Sequence, residues 1–98
     1  MIVNFRLIGK SALLFLIFSC SNNPELNYKI ALRSLELNKN QGADVSNCSS
    51  KDYYEADNLF NQGFVFYKKG DWARADELFS KSIRKAEDAE EKFIFCNR

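Results

Sequence analysis

The chain lacks histidine, lacks an excess of either charge, and lacks a long apolar run. It carries 14 basic against 13 acidic residues in 98. Each absence removes a class of function. Without histidine, the commonest general base and the commonest metal ligand are both missing. Without a basic excess there is no electrostatic footprint for nucleic acid. No glycine-rich stretch has the form of a phosphate loop, and the acidic cluster Glu87, Asp88, Glu90 and Glu91 has no calcium-loop spacing and reads as a solvated helix face. No cofactor and no enzymatic activity are expected. The longest apolar stretch, "SALLFLIF" from Ser11 to Phe18, reaches with Ser19 only about 14 Å as a helix, against a hydrocarbon core of ~30 Å.

That short stretch has a different meaning. Arg6 and Lys10 precede it, and "IFSC", Ile17 to Cys20, follows it. A positive segment, a short apolar segment and a small-residue cleavage site make a secretory signal. An aliphatic residue three positions before a cysteine, with Ser19 directly before it, resembles the lipobox of bacterial lipoproteins, although Phe18 is bulkier than the usual occupant of its position. The resemblance implies a signal peptide over 1–19, acylation (palmitate among the chains) of Cys20, and a lipid-anchored protein of the bacterial cell envelope, in the inner or the outer membrane. The alternative is an uncleaved signal anchor with Cys20 an ordinary thiol. Without residues 1–19 the chain carries 12 basic and 13 acidic residues, net −1. Attraction to anionic lipid therefore contributes little.

Residues 20–51 read as tether, helix and loop. In "SNNPELNYKIALRSLELNKNQG", Asn23 caps a helix, Pro24 fits its first position, Glu25 favours the positive end of the dipole, and Gly42 stops it. Leu26, Ile30, Arg33 and Leu37 form the expected stripe, with Ala31 and Leu35 beside it. "NQGADVSNCSSKD", Asn40 to Asp52, reads as an exposed loop.

From Ala56 the spacing becomes specific. Ala56, Leu59, Gly63 and Phe66 share one helix; Gly70, Asp71 and Trp72 form a seam; Ala75, Phe79 and Ser82 share the next helix. The pattern resembles the tetratricopeptide repeat, a helix–turn–helix of about 34 residues whose small and aromatic positions recur at fixed offsets. Gln62 and Glu87 depart from it. The resemblance implies an all-α fold, with a TPR-like helix–turn–helix unit near 56–89 inside the region 52–98. One helix precedes the unit, and a C-terminal partial-repeat helix begins in "AEDAEEKFIFCNR". Gly63 and Ala75 are expected where the two helices approach closely, with Phe66, Trp72 and Phe79 filling the crossing. Either the last helix caps the unit, or the sequence is the beginning of a longer array and a fragment with only a structural role.

The resemblance also implies a function: non-catalytic binding of an envelope protein or peptide along the inner face of the unit's first helix. That face carries Asp57, Phe60, Phe64, Tyr67 and Lys68. The three rings are a docking groove on this reading. On the other reading they pack against the preceding helix of the same chain. An exported location permits a disulfide between Cys48 and Cys96. Parallel stacking of a second repeat would instead place Cys96 level with Phe60, beyond easy reach of Cys48.

Overall fold

The computed structural model describes residues 23–96. Three helices account for them: α1 (Pro24–Gln41), α2 (Ser50–Lys68) and α3 (Trp72–Cys96). No strand occurs among the described residues, so the fold is all-α. The signal-like segment and Cys20 lie outside them.

The helix ends follow local chemistry. The Asn23 side chain accepts the Leu26 amide at 3.1 Å, and Pro24 opens α1. Gly42 takes the left-handed conformation at φ 98°, and the Ala43 and Gly42 amides return to the Asn38 and Lys39 carbonyls. Gly70, at φ 83°, ends α2 the same way, with the Asp71 amide on Phe66 and its own on Tyr67. Both are glycine-terminated caps that satisfy otherwise orphaned carbonyls. Asp71 then accepts the Arg74 amide of α3, in a long bond of 3.5 Å.

α2 and α3 run antiparallel. The Ser82 hydroxyl donates to the Ala56 carbonyl at 2.7 Å, and Lys92 meets Asp52 at 2.6 Å. α1 packs mainly on α3 and runs parallel to it, with Asn27 bonded to Asp76 and Asn38 to Ala86. The close approach expected at Gly63 is present. A β-carbon there would lie 2.8 Å from the Phe79 ring and 3.2 Å from the Leu78 β-carbon. Ala56, Ala75, Phe79 and Ser82 are fully buried around it.

Five features differ from the sequence reading. First, α1 is rotated. Its buried face is Ala31, Leu35 and Asn38, while Leu26, Ile30 and Leu37 are 41%, 40% and 51% exposed and Arg33 is also exposed. The buried face joins Ala31 and Leu35 to the core that includes Phe79, Ala86 and Ala89, and Tyr28 packs against the same core. The Asn38 amide then locks the rotation by donating to the Ser34 carbonyl at 2.9 Å and the Ala86 carbonyl at 3.0 Å.

Second, the described residues contain no separate C-terminal repeat helix. α3 runs unbroken for 25 residues, because nothing between Ala86 and Cys96 stops a helix; the stretch has neither Gly nor Pro. Third, the loop is not wholly exposed. α2 begins at Ser50, Ala43 and Ser49 are buried, and the Ser49 hydroxyl donates to the Ala43 carbonyl at 2.7 Å. Fourth, Trp72 does not fill the crossing and is 61% exposed; Tyr28 of α1 takes that place. Fifth, Cys48 and Cys96 form a disulfide, with α-carbons 6.5 Å apart and a sequence separation of 48. The continuous α3 explains the bond. Returning antiparallel to α2, it overshoots the start of that helix and brings its last turn to the loop that holds Cys48.

Candidate functional site

The spacing of Phe60, Phe64 and Tyr67 places their rings on one face of α2. Across them lies Tyr28. Its ring stacks on Phe60, Phe64 and Tyr67 with centroids 5.5, 5.8 and 5.7 Å away, and meets the edge of Phe79 at 5.6 Å. Offset and edge contacts at these distances each add to the apolar burial. The middle of the expected groove therefore holds a side chain of the same molecule. Phe60 is buried in the core, and Phe64 and Tyr67 are half-buried.

The margin of that face stays open. Asp57 is half-buried and Lys68 exposed. The Lys68 ammonium lies 5.2 Å from the centre of the Phe64 ring, within cation–π range. Asp57, Phe64 and Lys68 thus form a polar-edged aromatic border beside the packed rings. A second open border lies at the seam, where Lys69 and Arg74 approach the Phe66 ring at 5.9 and 5.5 Å, near the exposed Trp72.

The opposite end of the hairpin is built from charge. Asp52, buried near the start of α2, meets Lys92 at 2.6 Å and Lys85 at 3.8 Å, and Lys85 also reaches Glu55 at 3.0 Å. A carboxylate at this position also suits the helix dipole. Hydrogen bonds from Lys92 to Asp52 and from Lys85 to Glu55 hold both ammonium groups above their ordinary value of 10.5. Burial pushes the nearby Tyr53 phenol up, and Asp57 and Asp44 add to the effect. Beyond the ion pairs, an open pocket of about 500 Å³ is lined by Cys48, Glu91, Lys92, Phe95 and Cys96. None of the four acidic residues from Glu87 to Glu91 is buried, and the described residues contain no cluster of three metal-ligating side chains.

Tyr28 is the residue that the sequence reading missed. It lies three and seven positions before Ala31 and Leu35, the spacing of a helical face. Choosing Ala31 and Leu35 as the core stripe would have found it. The larger residues of the other stripe drew the choice away. Comparison with known proteins finds no matching family model, curated protein or solved structure.

Proposed function

We propose that this is a lipid-anchored, non-catalytic protein of the bacterial cell envelope. In this reading Cys20 carries the lipid, and a tetratricopeptide-like helical body binds another envelope protein. The observation that carries it is the Cys48–Cys96 bridge. Disulfides persist in oxidising compartments and are rare where thiols are kept reduced. The bridge agrees with the secretory layout of residues 1–19. It also uses two of the chain's three cysteines, and the third is the one in the lipobox-like "IFSC". The close approach at Gly63 and the glycine-capped seam at Gly70 support the repeat-like reading of α2 and α3.

The partner surface is the border formed by Asp57, Phe64 and Lys68, with Phe60 and Tyr67 as the packed floor behind it. A planar ring flanked by one charge of each sign suits a peptide that offers an apolar side chain beside polar groups. Two measurements test the reading. Metabolic labelling with radioactive palmitate should mark the wild-type chain and not Cys20→Ser; label persisting in the variant removes the anchor. A photocrosslinking residue at position 64 should capture an envelope protein, and one at the exposed Asn58 should not. Equal capture at both positions removes the surface.

A further inference from the structure

We infer that the outer face of α1 is a membrane-contact surface. Leu26, Ile30 and Leu37 would lie in the boundary between headgroups and acyl chains of the bilayer that holds the anchor. The inference rests on the lipid anchor at Cys20 proposed above.

Three observations carry it. The first is the rotation of α1. With Ala31, Leu35 and Asn38 turned into the core, Leu26, Ile30 and Leu37 are left 41%, 40% and 51% exposed on the opposite side. Spacings of four and seven residues place them in one line, which extends about 16 Å along the helix. The second is the length of the tether. Pro24, the first residue of α1, is four positions from Cys20. At most ~3.6 Å per residue, the start of the helix lies within about 14 Å of the acylated position. A helix that begins this close to the bilayer and bears an apolar line can lie flat in the interface, its apolar side ~5–10 Å into the boundary.

The third is the arrangement of charge around that line. Arg33 shares the stripe and is exposed; its stem can cover apolar surface while its guanidinium reaches the headgroups. Lys29 stands at the margin and pairs with Glu25 at 3.6 Å. No acidic residue falls on the line itself. In the tether's geometry the bilayer is the nearest apolar phase, so it is favoured as occupant over a second copy of the chain or a protein partner.

The test uses the full acylated chain with a single tryptophan. Trp72→Phe removes the exposed native one, and Ile30→Trp reports from the stripe. Asn58→Trp, on the exposed side of α2, is the control. Each chain is reconstituted in vesicles of phosphatidylethanolamine and phosphatidylglycerol whose acyl chains carry bromine. Position 30 should shift to shorter emission wavelength and lose intensity several-fold; position 58 should do neither. Leu37→Trp repeats the measurement about two helical turns away, and unchanged circular dichroism shows that each chain folds. Equal, weak quenching at positions 30 and 58 on a chain that sediments with the vesicles overturns the inference and leaves the anchor standing. A wavelength shift without bromine quenching also overturns it, since it marks cover by protein. A wild-type chain that sediments no better than Cys20→Ser overturns the anchor and the inference together.

Discussion

The two ends of the α2–α3 hairpin are held by different physics. At the seam end, Tyr28, Phe60, Phe64, Tyr67 and Phe79 interlock over a glycine that has no room for a β-carbon. At the far end, small alanines, one network of two lysines and two carboxylates, and a disulfide take over. The aromatic end gains its stability from shape and buried area. The far end buries Tyr53 and small alanines in place of a cluster of rings, and a covalent link and charge complete it. A body this small has little apolar core to spare, and staples of this kind are the usual remedy.

Four experiments break or sharpen the contrast. The largest effect is expected at Phe79, which is fully buried. Phe79→Ala should cost about 3–5 kcal/mol in urea denaturation; a loss below that of the disulfide variant would reverse the order of the two ends. Next is Cys96→Ser. Closing a loop of this length should contribute about 2–4 kcal/mol. Reducing agent should lower the wild-type midpoint and leave the variant unmoved.

Third, Gly63→Ala should destabilise by about 1–3 kcal/mol, because the new methyl would press on a ring that cannot leave. Helix propensity alone favours Ala over Gly by up to ~1 kcal/mol. A stabilised Gly63→Ala would therefore show that the seam end packs more loosely than described. The smallest effect belongs to the charged end and appears only in alkali. Lys85 and Lys92 are held above 10.5 and Tyr53 above 10.0 in the folded chain. The unfolded chain then releases these protons first as pH rises. Stability should be flat below those values and fall above them. Lys92→Met should make the alkaline fall shallower, and an identical slope would remove the ion pairs from the account.

Much of the hairpin was legible because its signals are local. Gly70, Asp71, Gly63, Ala75 and Phe79 act within one turn or across one close crossing, so spacing alone places them. The candidate surface was legible only in part. Asp57, Phe64 and Lys68 keep an accessible border, but Phe60 was taken up by the core. The deciding residue was Tyr28, which is 32 positions away from Phe60 in the sequence and lies off the stripe that periodicity selected as the core. Two apolar stripes compete on α1, and the larger one looked like the core. The stripe of Tyr28, Ala31 and Leu35 won because Tyr28 packs among the rings of α2 and α3.

What the sequence determined by itself was both ends of α1, the seam between α2 and α3, and the close crossing. Caps, left-handed glycines and small residues act on backbone groups within a few residues, whatever surrounds them. Tertiary structure alone decided the rotation of α1, the exposure of Trp72 and the joining of Cys48 to Cys96. Each depends on which surface a distant segment presents, and local backbone chemistry carries no record of that.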